Sequence, residues 1–255
     1  MRTTLDAGIQ KAASLLRAAH QGVALTGAGI STPSGIPDFR SRDSGLWKRY
    51  DPMEVASLHS FRYHPEKFFA WLREIALEMQ SAHPNPAHTA LVALQNLGHI
   101  QTIITQNVDG LLQRAGAQHV LEVHGSLRTL TCIRCYRKAS ANDYMETYLH
   151  QGTIPRCDQC GGILKPDIIL FEEQLPVQTW YQAQEAVRTC DFILVAGSSL
   201  TVMPVAGLPM QAINRGTPMV IINKAPTYLD VRAEVILRGD VAALLPKLVQ
   251  EIQHA

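Results

Sequence analysis

A chain of 255 residues with 46% apolar and 18% charged residues has the composition of an ordinary globular protein, long enough to bury roughly three quarters of its unfolded surface. Its 23 basic and 22 acidic residues give a formal charge of +1, which excludes self-contained electrostatic attraction to nucleic acid or an anionic membrane and leaves any anionic ligand to be held by local geometry. The five cysteines cannot all pair within one chain, and no stretch approaches the ~18 unbroken apolar residues of a membrane span. The expectation is a monomer in a reducing, cytoplasmic setting.

Leu5, Ile9, Ala12, Leu15 and Ala19 recur at helical spacing on a segment that carries Lys11 and Arg17, so the start of the chain reads as an amphipathic helix and not as a signal-peptide core. A first strand is expected at 22–26. After it, residues from about 41 to about 84 form a helical insertion with Trp47, Tyr50, Phe61, Tyr63, Phe68, Phe69 and Trp71. Asn85 followed by Pro86 caps a helix over 87–97 that Gly98 closes. Strands follow at 99–105 and 119–123, then a four-cysteine unit from about 126 to about 165, then strands at 167–171, 191–196, 218–223 and 234–237. Runs without polar alternation, such as Phe192-Ile193-Leu194-Val195, belong to strands covered on both faces. They predict an α/β fold with a parallel sheet and helices on each side. In such a sheet ligands sit beyond the carboxyl ends of the strands, here between the sheet and the two insertions.

Three motifs carry chemistry. The knuckles Cys132-x-x-Cys135 and Cys157-x-x-Cys160 have the spacing of a structural zinc ribbon. A closed four-thiolate site leaves no position for water, so this zinc holds structure and does not catalyse. Cys190 is a small core residue at the start of a strand. The loop after the first strand, Gly27-Ala28-Gly29-Ile30-Ser31-Thr32, would let backbone N–H groups approach a pyrophosphate. The third glycine of the usual pattern is absent at Thr32, and the loop continues into Asp38-Phe39-Arg40, a carboxylate, an aromatic face and a guanidinium. Gln106-Asn107-Val108-Asp109 and His124-Gly125 end two successive strands, and polar side chains there are costly to bury unless something polar fills the site.

Together with Gly35-Ile36-Pro37, Gly197-Ser198-Ser199-Leu200 and Asn223, these motifs resemble the sirtuins, NAD-dependent protein-lysine deacylases, in order and spacing over nearly the whole chain. The resemblance implies a Rossmann-like NAD-binding domain made of residues 1–40, 85–125 and 166–255, a helical insertion at 41–84 and a zinc-binding module at 126–165. It implies NAD as co-substrate, one structural Zn²⁺ and acyl-lysine proteins or peptides as partners, with no direct contact to nucleic acid or membrane. In the family's mechanism the acyl oxygen attacks C1′ of the nicotinamide ribose and nicotinamide leaves. The residue matching His124 then acts as general base for a ribose hydroxyl, leading to O-acyl-ADP-ribose and free lysine. An imidazole suits that task, since it titrates near ~6.5.

By the same resemblance Asn107 and Asp109 hold the nicotinamide amide and a site water, Gln106 positions the ribose, and Phe39 and Arg40 guard the reacting face. Gly27, Ala28, Gly29, Ile30, Thr32, Asp38, Val108, Gly197, Ser198, Ser199, Asn223, Lys224 and Val241 complete the NAD site. Phe39, Leu72, Ile75, Ile169, Phe171 and Glu172 face the substrate. Leu72 and Ile75 stand where desuccinylating sirtuins carry a Tyr-x-x-Arg pair, and neither can bind a carboxylate. A deacetylase, open to longer aliphatic chains, is expected. Phe171-Glu172-Glu173 departs from the usual Phe-Gly-Glu, so Glu172 either points into solvent or places negative charge beside the acyl-lysine. The second case would favour basic residues flanking that lysine. A protein ADP-ribosyltransferase and a non-enzymatic NAD sensor are the alternative readings.

Overall fold

The computed structural model describes residues 4–38 and 46–254, so Phe39 and Arg40 lie outside the described residues. In chain order it has α1 (Thr4–Arg17), β1 (Gly22–Thr26), 3-10 turns at 28–30, 32–34 and 46–48, α2 (Pro52–Val55), α3 (Leu58–Tyr63), α4 (Pro65–Ser81) and α5 (Pro86–Asn96). There follow β2 (Ile100–Thr105), α6 (Leu111–Arg114), β3 (Val120–Glu122), β4 (Gly125–Cys132), β5 (Lys138–Ser140), α7 (Asn142–Gln151) and β6 (Leu164–Ile168). The chain ends with α8 (Val177–Thr189), β7 (Phe192–Ala196), α9 (Leu208–Ile213), β8 (Met219–Asn223), β9 (Val235–Arg238) and α10 (Val241–Gln253).

Six parallel strands form the main sheet in the order β3-β2-β1-β7-β8-β9. Its apolar runs bury both faces with a period of two. Ala24, Leu194, Val220 and Ile222 pack with Leu16, Leu91 and Leu245 from α1, α5 and α10. Val23, Leu25, Ile193 and Ile221 pack with Ala183, Val187 and Ala212 from α8 and α9. The helix expected after Asn85 is present: the Asn85 side chain accepts from Ala87 N–H, the His88 ring accepts from Asn85 N–H, and Gly98 takes φ 79°. Among the described residues no helix is long and apolar enough to cross a membrane.

The strand expected at 167–171 is the main departure. The extended segment is β6, shifted to Leu164–Ile168, and it pairs antiparallel with β4 in a separate three-stranded sheet, β5-β4-β6. Alternation explains this: β6 buries only Leu164, Pro166 and Ile168, the pattern of a sheet wet on one face. β4 and β5 carry no alternating apolar signal, with Arg128, Thr129, Lys138 and Ser140 standing exposed on them. The four-cysteine unit is built on this small sheet, with Leu130, Ala141 and Leu164 as its core. The helical insertion closes over it through an aromatic cluster of Phe61, Phe68, Phe69 and Trp71, which meets Tyr148 and Leu149 of α7.

Candidate active site

The strand order reverses between β1 and β7, and the loops leaving these two strands part there to open a crevice. They touch backbone to backbone. A Cβ on Gly29 would lie 2.7 Å from the Gly197 carbonyl oxygen, and one on Gly197 would lie 2.5 Å from Ile30 N. The Gly29 N–H donates to Gly197 O at 2.8 Å and the Gly27 N–H to Ala196 O at 3.4 Å. These glycines therefore close-pack the two loops, and their own amides are engaged inside the protein instead of standing open to a phosphate. Around them Gln106 Nε2 donates to Ser198 Oγ at 2.9 Å, Asn223 Nδ2 donates to Ala225 O at 2.8 Å, and Lys224 pairs with Asp240 at 2.8 Å.

One cavity of about 1080 Å³ runs from these loops to the helical insertion. Among its walls are Gly27, Ala28, Gly29, Thr32, Asp38, Gln106, Asn107, Val108 and Asp109, with Gly197, Ser198, Ser199, Asn223, Lys224 and Val241 across from them. Ile30 is not among the lining residues. It is fully buried in the core between the sheet and α1, α5 and α10, because an apolar side chain in the turn after β1 gains more by packing under the loop than by facing a polar ligand.

Behind the loops lies a buried polar relay. Ser31 Oγ donates to Asp109 Oδ2 at 2.7 Å, accepts from Asn107 Nδ2 at 3.0 Å and lies 3.5 Å from His88 Nε2. Because His88 Nδ1 accepts from the Asn85 N–H at 3.2 Å, the ring proton sits on Nε2. Burial pulls His88 below the ordinary imidazole range, with Asp109 acting in the opposite direction. The unfolded chain takes up a proton there below about pH 6.5 while the folded ring stays neutral. Stability attributable to His88 is therefore complete above that pH and falls below it, by up to about 1.4 kcal/mol per pH unit. His88→Gln is expected to flatten the pH dependence by that amount, measured by denaturant unfolding of both proteins at about pH 7.5 and 5.5. Equal slopes would contradict the assignment.

His124 sits where the polar and apolar parts of the cavity meet. Its Nδ1 lies 3.1 Å from the Gln106 carbonyl, an acceptor only, so Nδ1 carries the proton and the neutral ring keeps its lone pair on Nε2. Its own carbonyl accepts from the Ile169 N–H at 2.8 Å. Gly125 next to it takes φ 77°, and a Cβ there would stand 1.9 Å from Asp167 O, so only glycine lets β4 leave the ring in this place.

The apolar end is lined by Leu72 and Ile75, both buried, with Trp71, Met79, Leu127, Ile169 and Phe171. Trp47 stacks on Trp71 at 6.0 Å and meets Phe171 edge-on at 6.0 Å. Trp71, Ile75 and Met79 repeat at i, i+4, i+8 on α4, a phase legible once Ile75 is placed. Ser31 stands inside the glycine loop, whereas His88 and Leu127 have no such signal, since each joins the site through a contact distant in sequence. Glu172 is exposed, and its Oε2 accepts from the His59 N–H at 3.0 Å.

Outside the cleft the four cysteine sulfurs lie within 4.8 Å of one another, with Cys132 and Cys160 at 3.5 Å and Cys135 and Cys157 at 3.7 Å. Four thiolates at about 2.3 Å from a central Zn²⁺ would be separated by about 3.8 Å, so the donor set fits a tetrahedral zinc. The Cys135 N–H, with burial opposing it and the Arg134 N–H assisting, draws the Cys132 thiol down to about 6. Cys190 is buried against Val187 and Ile193, and burial pushes its thiol up.

Residues 27–204 match the model of the Sir2 family. An NAD-dependent protein deacylase of Archaeoglobus fulgidus is 43% identical over 250 residues, covering 96% of each chain. A solved Sir2 enzyme superposes with a TM-score of 0.91 at 42% identity, covering 98% of this chain and 99% of that one. A Sir2 variant solved with deacetylated p53 peptide and 3′-O-acetyl-ADP-ribose superposes with a TM-score of 0.89 at 36% identity, covering 95% and 98%. A family match over more than half the chain, a relative aligned nearly end to end, and the same fold with its four-cysteine cluster lead to one conclusion: the chain belongs to the Sir2 family.

Proposed function

We infer that the protein is an NAD-dependent protein-lysine deacylase that removes acetyl groups, and longer aliphatic acyl groups, giving nicotinamide and O-acyl-ADP-ribose. The observation that carries this reading is the placing of His124, with its lone pair on Nε2, between a polar crevice and an apolar channel within one cavity. NAD supplies an activated ribose carbon, C1′, from which nicotinamide departs as the acyl oxygen attacks. His124 takes the proton of a ribose hydroxyl at Nε2, and its bond to the Gln106 carbonyl holds the required tautomer. Asn107 and Asp109, oriented by Ser31, hold the nicotinamide amide. Gln106 positions the ribose, and Ser198, Ser199, Asn223 and Lys224 hold the phosphate and adenosine side.

Leu72, Ile75 and Leu127 exclude water from the acyl group and offer no partner to a carboxylate. Leu72 and Leu127 also line a second, apolar cavity of about 40 Å³ between α4 and the zinc-binding unit. These two side chains border both spaces, and this supports acceptance of longer chains. We assign the sheet-forming segments 1–40, 85–125 and 166–255 to NAD binding, 41–84 to the acyl channel and 126–165 to zinc. We place the protein in the cytoplasm as a monomer without direct nucleic-acid contact. The test is the rate and product mass on one peptide bearing acetyl-, myristoyl- or succinyl-lysine. Turnover of the first two with O-acyl-ADP-ribose as product is expected, whereas a preference for succinyl or ADP-ribose attached to protein would overturn the reading.

A further inference from the structure

We propose that Glu172 is a positioning residue: it latches the substrate-facing segment 170–173 to the first turn of α3, setting peptide affinity without reading substrate charge. The inference rests on the deacylase reading, because it concerns the wall along which the acyl-lysine peptide would lie.

Phe171, Glu172 and Glu173 all line the cavity. The segment is bound to the helical insertion by two backbone bonds, Phe171 N–H to Ala56 O and Leu58 N–H to Phe171 O, both at 3.0 Å. Glu172 adds a third, from its carboxylate to the His59 N–H, across 113 residues of sequence. Its backbone has φ 73°, a conformation that glycine enters freely and a side chain resists. The hydrogen bond to His59 offsets that resistance. A helix's first N–H groups have no intrahelical acceptor, so the carboxylate fills a vacancy that solvent would otherwise fill.

Glu173 is engaged in the other direction. Its Oε2 accepts from the Leu170 N–H at 2.9 Å and pairs with Lys165 of β6 at 2.9 Å. The two neighbouring carboxylates thus tie one short segment to both insertions. Lys165 balances the charge of Glu173, and Glu172, held by the His59 N–H, is exposed so that water screens its charge; neither therefore selects basic residues beside the acyl-lysine. Moving α3 moves the peptide wall.

Glu172→Gly removes the latch and relieves the backbone, so it should fold. Glu172→Gln keeps an amide oxygen that can accept from His59. The glycine variant is expected to raise KM for an acetyl-peptide about tenfold, with kcat and the KM for NAD little changed and exchange of the His59 amide hydrogen accelerated. The glutamine variant should recover most of the affinity, and wild type should turn over acidic- and basic-flanked peptides alike. The latch is overturned if Glu172→Gly leaves both peptide KM and His59 exchange unaltered, or if Glu172→Gln weakens only basic-flanked peptides. Were the wild type to show no peptide-dependent nicotinamide release, the functional reading would fail on its own. His59 exchange would still decide the latch, supporting it if Glu172→Gly loses protection and overturning it otherwise.

Discussion

His124→Ala is expected to lower formation of deacylated peptide by about 10²–10⁴-fold, the usual contribution of a general base, while the KM for NAD stays within about twofold. The reason is positional. His124 Nδ1 is committed to the Gln106 carbonyl, which makes Nε2 the ring's basic nitrogen, and on the proposed function that nitrogen acts on a ribose hydroxyl after nicotinamide has left. Exchange of labelled nicotinamide into NAD, which needs only the earlier step, should therefore survive much better than product formation. Product analysis and the exchange assay, run on the same preparation, check this. Equal loss of exchange and product would place His124 in nicotinamide departure instead.

The second large effect concerns zinc. Structural Zn²⁺ in four-ligand sites contributes on the order of 10–16 kcal/mol of apparent binding energy in zinc-finger peptides. Apart from the α7 contacts with the helical insertion, the unit it would hold here has only a small core of its own, Leu130, Ala141 and Leu164 around the two buried cysteines. β4 begins at Gly125 beside His124, and β6 ends at Ile168 in the cavity wall, so loss of the unit reaches the cavity through both strands. Cys157→Ala, or exhaustive chelation, is expected to remove one zinc per chain, bring activity to background and lower Tm by more than about 10 °C. Metal analysis, peptide turnover and a thermal scan measure the three quantities. A zinc-free chain with unchanged Tm and turnover would contradict the structural role.

The parallel sheet was legible because burial on both faces leaves a direct imprint: Phe192-Ile193-Leu194-Val195 has no polar residue for water to hold. The small sheet left no such imprint, since Thr129, Thr131, Lys138 and Ser140 are compatible with loop or edge strand alike. Local spacing was enough for the cysteine knuckles, because chelation depends on four atoms that the chain brings together in pairs. It was not enough for Ile30, which shares a motif with lining residues but turns into the core, nor for His88, whose place at the third position of α5 brings its ring against Ser31. Glu172 shows the limit most clearly. Its departure from glycine was visible in the sequence, whereas its partner is a backbone N–H on a helix 113 residues away, which only the tertiary structure can join to it.

The glycine loop shows a related lesson about mechanism. Gly27 and Gly29 suggest open amides, yet the structure uses their missing side chains to let β1 and β7 loops touch. On the proposed function the phosphates would then rely on the hydroxyls of Ser198 and Ser199, in keeping with a chain whose net charge of +1 offers no broad attraction.

Nicotinamide release, measured with NAD in the presence and absence of an acetyl-lysine peptide, tests the central claim most directly. Release that depends on the peptide and matches deacetylated product one for one is the expected result. NAD binding without release, or release that proceeds equally well without the peptide, would contradict it.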